Sequence, residues 1–167
     1  MVELGIVGGR NSGKTTLVEA LVHRLVKLNH SVATVKHTAH NHLFDQPGKD
    51  THRHRQAGAG MTLAVSDSEV ALFSDSSTEH REKLMRAMAT MFDICLVEGD
   101  RSAERPKVFL SRNRKPDSPV LPTNIVTVYG PELDGVTVPR YELDDVDGLV
   151  GFIVDRFLTP TAEGASA

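Results

Sequence analysis

The hydrophobic pattern of the chain changes period several times, and each change marks a predicted element. Leu4-Gly5-Ile6-Val7 is a continuous apolar run bounded by glycines, the pattern of a strand buried on both faces. From Lys14 onward the period becomes helical. Leu17, Leu21, Leu25 and Leu28 fall on one face, with Val18, Val22 and Val26 beside it, and Asn29 supplies a stop. Strand character returns from Ser31 to Lys36 through Val32, Thr34 and Val35. A strand, a helix and a strand at this spacing form a βαβ unit, which requires parallel pairing and a right-handed crossover.

The stretch from His37 to Lys49 is polar, rich in His and broken by Pro47-Gly48, so it reads as a long loop. Asp50 is placed to cap a short helix that runs through Arg55 to Ala57 and closes at Gly58. Met61 to Val65 and Glu69 to Phe73 read as two strands joined by a turn at Ser66-Asp67-Ser68. Ser76 to Glu79 has the spacing of a capping box, ahead of a helix whose apolar face carries Leu84, Met85, Met88, Met91 and Phe92. The methionines there read as core filler. Ile94 to Val97 is the next buried strand. Val108 to Leu110 and Ile125 to Val128 are further strands, with Pro116 to Pro122 as a connection. Asp144 or Asp145 opens a last helix that turns Val146, Leu149, Val150, Ile153 and Phe157 inward. The expected organisation is one domain over 1–158 and a flexible tail over 159–167.

Composition narrows this picture in three ways. The 167 residues contain no Trp and few other aromatics, so the core is expected to be aliphatic. A net charge of −3 provides no general basic field for nucleic acid or an anionic membrane. The single cysteine, Cys95, permits no intrachain disulfide and suits a reducing compartment. No segment has the length and apolarity of a membrane span, and the N-terminus reads as a strand, not as a signal peptide. The expected location is the cytoplasm.

Gly8-Gly9-Arg10-Asn11-Ser12-Gly13-Lys14-Thr15 matches the phosphate-loop pattern G-x-x-x-x-G-K-[ST] in full, between a strand and a helix. Gly8 and Gly13 permit backbone angles and a close approach that a Cβ would block. Backbone N–H groups can then converge as an anion nest, reinforced by the N-terminal end of the helix. Lys14 is expected at the β- and γ-phosphates, the Thr15 hydroxyl on magnesium, and Thr16 in a weaker role at the α-phosphate. The fold class that follows is α/β, a three-layer P-loop NTPase-like fold with a mostly parallel central sheet flanked by helices.

Such a site needs an acidic partner on a neighbouring strand. Glu98 ends the apolar run Ile94 to Val97 and is followed by Gly99, which lets the chain turn away. Its alternative is an ordinary acidic strand exit. Asp45 and Asp50, flanking Pro47-Gly48-Lys49, are further candidates for magnesium or water. Asp50 also has the competing role of helix cap, which leaves Asp45 as the better candidate.

His37, His40, His42, His52 and His54 crowd one region. They could bind a metal, contact phosphate or simply be solvated. No Cys is near, and the spacing fits no closed zinc site. Lys36, Lys49, Arg53 and Arg55 make the region basic, which suits an anionic ligand or an acidic partner surface better than a cation.

Together these residues resemble a known family. The runs Lys36-His37-Thr38-Ala39-His40, Asp45 to Thr51 and Arg53 to Ala59 resemble the signature of the molybdopterin-guanine dinucleotide biosynthesis protein B family, MobB. So do the phosphate loop ending in Asn11 to Thr16 and the strand ending Leu96-Val97-Glu98-Gly99. The likeness extends from Leu4 to about Arg112, then more weakly to the last helix. It implies a homodimeric, GTP-binding adaptor with weak magnesium-dependent GTPase activity. Such a protein assists the guanylyltransferase that joins GMP to molybdopterin, and helps pass on the finished cofactor. Two departures stand out. Asp100 follows the Val-Glu-Gly step where the family usually has an aromatic. The guanine signature N-K-x-D is absent, with Thr123-Asn124-Ile125-Val126 only a faint echo.

The resulting expectation assigns catalysis to Lys14, Asp45 and Glu98, and magnesium to Thr15, Glu98 and Asp45. Nucleotide contacts run from Gly8 through Gly9, Arg10, Asn11, Ser12, Gly13, Lys14 and Thr15 to Thr16. Lys36, His37, His40, Lys49, Asp50 and Arg53 are expected to meet the cofactor or the partner enzyme. Arg10 is the candidate for an arginine acting across a dimer. The rival readings are a small-molecule kinase, a nickel- or zinc-delivering GTPase using the His-rich loop, and a pure interaction module that retains nucleotide binding.

Overall fold

The central position in the sheet falls to the first strand. In chain order the elements are β1 (Val2–Gly8), α1 (Lys14–Lys27), β2 (Val32–Lys36), α2 (Asp50–Gln56), β3 (Met61–Val65), β4 (Val70–Ser74), α3 (Thr78–Ala89), β5 (Ile94–Glu98), β6 (Lys107–Leu110), β7 (Ile125–Tyr129), β8 (Arg140–Tyr141) and α4 (Val146–Ile153), the last running into a π-helical turn at Val154–Leu158. The computed structural model describes residues 1–38, 42–112 and 120–159. The expected tail lies outside these from residue 160, as does most of the connection from Pro116. The span expected as one domain divides into two compact units, one of 1–39 with 88–167 and the other of 40–87.

In the first unit six strands lie in the order β2-β5-β1-β6-β7-β8, and each neighbouring pair is parallel. Parity assigns the two faces. Leu4, Ile6, Ile94, Leu96, Val108 and Leu110 pack with Leu17, Leu21 and Leu25 of α1 and Leu149, Val150 and Ile153 of α4. On the opposite face Val7, Phe109 and Val128 pack with Leu133, and Val136 and Val138 lie against them. Each fully buried Leu or Ile contributes roughly 1.5–3 kcal/mol, so this aliphatic core carries the unit without Trp. The two-residue strand β8 was not anticipated, because two residues carry no period.

Helix α1 ends as the sequence predicts, one residue before its expected face does. Asn29 adopts φ 63. Its N–H donates to the Val26 carbonyl at 3.0 Å and the His30 N–H to the Leu25 carbonyl at 3.0 Å, a complete Schellman pair. Leu28 is therefore the cap residue and is exposed, as is Val26. The choice left open for the last helix falls on Asp145, whose Oδ1 accepts from the Gly148 N–H at 2.9 Å.

In the second unit β3 and β4 form an antiparallel hairpin that pairs Leu63 with Leu72 and Val65 with Val70. Alternation leaves Met61, Leu63, Val65, Val70 and Leu72 exposed on one face of it. The cap of α3 is Ser77, not Ser76. Its Oγ accepts from the His80 N–H at 3.2 Å, while Asp75 accepts from the Ser77 N–H at 3.0 Å. That bond, with the Ser77 hydroxyl, holds the Asp75 carboxyl below the usual carboxylate range. The apolar face expected for α3 is only half-buried at Leu84, Met85 and Met88, and Met91 is exposed. Asp50 does not cap α2. It is the first helical residue, Lys49 holds the cap position without a side-chain bond, and the Asp50 carboxylate lies 3.8 Å from Arg53.

Two buried polar groups of the first unit have defined surroundings. Burial, with the Glu3 carboxylate as a second cause, pushes the Cys95 thiol up to about 11, so it is no ready nucleophile. Lys107 is completely buried, and burial pulls its pKa below that of a free lysine. Its Nζ donates to the carbonyls of Ala103, Arg105 (3.1 Å) and Thr123 (2.9 Å), joining the segment after β5 to the start of β7. Lys107→Met keeps the stem and orphans three carbonyls. It should cost about 3 kcal/mol of unfolding free energy, read as a lower urea midpoint at unchanged slope.

Candidate functional site

Between Gly8 and Lys14 the chain crosses the C-terminal edge of the sheet. Gly8 is required by space, since a Cβ there would stand 2.5 Å from the Leu110 carbonyl of β6. Gly13 is required by conformation, with φ 97, and the Leu17 N–H donates to its carbonyl at 2.9 Å to begin α1. Asn11 takes a positive φ of 55, which Asn tolerates better than most residues. The Lys14 ammonium is folded back onto the Gly9 carbonyl. Ser12 is buried, and its Oγ has no hydrogen-bond partner among the described residues. Arg10, Asn11, Thr15 and Thr16 are exposed at the rim.

Glu98 is the last residue of β5 and is almost fully buried. It shares parity with Ile94 and Leu96, so its side chain emerges on the face covered by α1, in register with Ile6 and Lys36. That brings it to the first turn of α1, where the Thr15 hydroxyl lies 3.1 Å from both carboxylate oxygens. Lys36, expected among the partner contacts, makes an ion pair with the same carboxylate. A hydroxyl and a carboxylate side by side are hard oxygen donors of the kind magnesium takes alongside phosphate oxygens and water. Among the described residues there is no cluster of three or more His, Cys, Asp or Glu that could hold a metal by themselves.

Gly99 adopts φ 94, and a Cβ on it would fall 2.7 Å from the His37 carbonyl. The strand exits are tied together there. The His37 N–H donates to the Glu98 carbonyl at 2.9 Å and the Gly99 N–H to the Ile6 carbonyl at 3.1 Å. Asp100 follows at φ 44. Its carboxylate meets Arg105 at 3.4 Å, and Arg105 also meets Glu3 at 3.2 Å.

The phosphate loop and the Val-Glu-Gly strand exit thus stand together in one unit, as the resemblance requires. A family model for molybdopterin guanine dinucleotide synthesis protein B, MobB, matches residues 3–129. The chain belongs to the MobB family. An Escherichia coli (strain K12) molybdopterin-guanine dinucleotide biosynthesis adapter protein is 30% identical over 159 residues, 91% of each chain. A Haemophilus influenzae protein of the same description is 33% identical over 111 residues, 65% of this chain and 62% of that one. Among solved structures, Bacillus subtilis MobB superimposes with a TM-score of 0.72 at 21% identity, covering 96% of this chain and 100% of that one. The shared fold is α/β, a mostly parallel central sheet flanked by helices.

Of the other residues expected at this MobB site, Asp45, Lys49, Asp50 and Arg53 lie in the second unit. The Asp45 carboxylate is buried there, accepting from the Thr51 hydroxyl at 2.7 Å and facing Arg55 at 3.5 Å. Lys49, Asp50 and Arg53 are exposed at the start of α2, and His37 is exposed in the first unit. His40 lies outside the described residues. Sequence reasoning overlooked Arg112, whose Nε donates to the Ser12 carbonyl at 2.7 Å. The only signal for it was an arginine just past a strand that neighbours the loop.

Gly99→Ala combines a positive φ with a clash against the backbone of His37. It should cost roughly 2–4 kcal/mol and disturb the exits of β2 and β5. Amide hydrogen exchange should show lost protection at His37 and Gly99, while Leu21 in α1 keeps its own.

Proposed function

We infer that this MobB-family chain is a cytoplasmic, GTP-binding adapter in molybdopterin guanine dinucleotide synthesis, with slow magnesium-dependent GTP hydrolysis. The carrying observation is the contact of Thr15 with Glu98 at the first turn of α1, directly after a complete phosphate loop. In this reading the backbone N–H groups from Gly9 to Thr16 bind the phosphate oxygens, and Lys14 leaves the Gly9 carbonyl to meet the β- and γ-phosphates. Thr15 and Glu98 would hold magnesium, which would supply positive charge to offset that of the phosphates. Lys36, already paired with Glu98, supplies a further positive charge at that edge of the site. Arg10, exposed at the rim, remains the candidate to act across a dimer.

Asp45 enters this reading as an anchor. With its carboxylate held by Thr51 and Arg55, it fixes the polar segment ahead of α2. Lys49 and Arg53 at that helix, and the exposed His37, would meet the anionic cofactor or the guanylyltransferase that uses it. The choice of guanine rests on family membership.

Calorimetric titration tests the nucleotide assignment. Magnesium GTP should bind tightly and magnesium ATP weakly, and Lys14→Ala should lower GTP affinity by about 100-fold. A preference for ATP would favour a small-molecule kinase instead.

The homodimer belongs to the same reading. The hairpin face of Met61, Leu63, Val65, Val70 and Leu72 is apolar, exposed and two-stranded, and an isolated two-stranded hairpin is marginal in water. A second copy of the chain, packed about a two-fold axis, would cover it with the identical face. Leu63→Asp should raise the dimer dissociation constant by at least about 30-fold, measured by sedimentation equilibrium. An unchanged dimer would place the interface elsewhere.

A further inference from the structure

Arg112 lies two residues beyond β6, outside every motif in the sequence, and reaches back across 100 positions to the phosphate loop. Its Nε donates to the Ser12 carbonyl at 2.7 Å. Its Nη2 stands 3.2 Å from the position that a Cβ on Gly13 would take. Two nitrogens of one guanidinium therefore lie against consecutive residues of the loop, at the point where it turns into α1.

An anion nest works only while its N–H groups face inward, and each inward N–H sends the carbonyl of the same peptide outward. An outward carbonyl that meets a fixed donor keeps its peptide in that orientation. One that meets only water leaves the peptide free to rotate. The Ser12 carbonyl belongs to the peptide that carries the Gly13 N–H, so the bond from Arg112 acts on the donor that opens the helix. Ser12 itself provides no such restraint through its side chain, because its Oγ is buried without a partner among the described residues. A guanidinium stays charged at any relevant pH, and its bond to a carbonyl is stronger than a neutral one. Gly13 is required for its φ of 97, and a Cβ there would also crowd the guanidinium at 3.2 Å.

We propose that Arg112 is a positioning residue for the phosphate site, holding the Ser12–Gly13 peptide with its N–H turned to the ligand and placing a fixed positive charge behind it. The ligand class is a polyphosphate, and the base is not involved. The inference rests on the loop being the nucleotide site.

The test titrates the full chain with magnesium GTP and, as a base-free probe, magnesium tripolyphosphate, using wild type, Arg112→Met, Arg112→Lys and Lys14→Ala. Arg112→Met keeps an unbranched stem and removes the donor. It should weaken both ligands by a similar factor, roughly tenfold or more. Its ligand-free melting temperature should stay within about 3 °C of wild type. Arg112→Lys should not restore affinity, because an ammonium has no Nε to set against Ser12 while a second nitrogen covers Gly13. If Arg112→Met does not fold, the lysine variant decides alone, a loss for both ligands supporting the proposal. Unchanged tripolyphosphate affinity in Arg112→Met overturns it, as does full recovery in Arg112→Lys. A loss confined to GTP also overturns it, by moving Arg112 to the base or ribose. If Lys14→Ala loses binding and Arg112→Met does not, this inference alone falls. If wild type binds neither ligand, or Lys14→Ala binds like wild type, the nucleotide reading fails and takes the inference with it.

Discussion

The meeting of the Thr15 hydroxyl with the Glu98 carboxylate depends on strand parity, and most of the first unit is arranged around it. Side chains alternate along a strand, so Glu98 faces α1 only while Ile94 and Leu96 face it too. A one-residue slip of β5 against β1 would turn the carboxylate to the opposite face and exchange Ile94 and Leu96 for Cys95 and Val97 in the layer against α1, mismatching the packing on both buried faces. The energy that holds the acidic group in place is therefore the burial of its apolar neighbours. The backbone around it is equally constrained. β6 comes so close to the end of β1 that only glycine fits at position 8, and the exit of β2 so close to that of β5 that only glycine fits at 99.

Those constraints explain which parts were legible in the sequence. The buried strands show as apolar runs, because a parallel strand covered on both faces has no polar positions to spare. The phosphate loop is legible because local geometry demands Gly8 and Gly13, with Lys14 and Thr15 completing the pattern after them. Glu98 is legible as the one acid at the exit of such a strand, and Asn29 as a left-handed stop. The contacts of Arg112, Lys36 and Lys107 are not legible, because their partners are carbonyls or carboxylates brought near only by the tertiary fold. Other misreadings come from local ambiguity. Ser76 has the capping-box spacing to Glu79 and Ser77 does not, yet the Asp75 carboxylate takes the Ser77 N–H and Ser77 becomes the cap. Leu28 continues the helical stripe on paper, yet the Schellman pair at Asn29 ends the helix beneath it.

The second unit obeys different rules. Neither α2 nor α3 contains a fully buried residue, and Asp45 is its most deeply placed acid. Its order rests on short-range polar bonds such as Thr51 to Asp45 and Ser77 to His80, and on the hairpin ladder. Such bonds contribute little each in water, so this unit gains most from whatever covers its apolar hairpin face. The first unit has its own aliphatic core and has no such dependence.

The sheet order also governs when the chain can become competent during synthesis. β1 emerges first, but its two neighbours are β5 and β6, so its edges stay unpaired until the residues through Leu110 have left the ribosome. At ordinary rates of elongation that interval is on the order of ten seconds. Through most of it β1 has α1 to follow it and neither of its sheet neighbours. Loop closures of this span make parallel folds slow to nucleate. The phosphate loop, encoded in the first fifteen residues, is thus among the last features to take its shape.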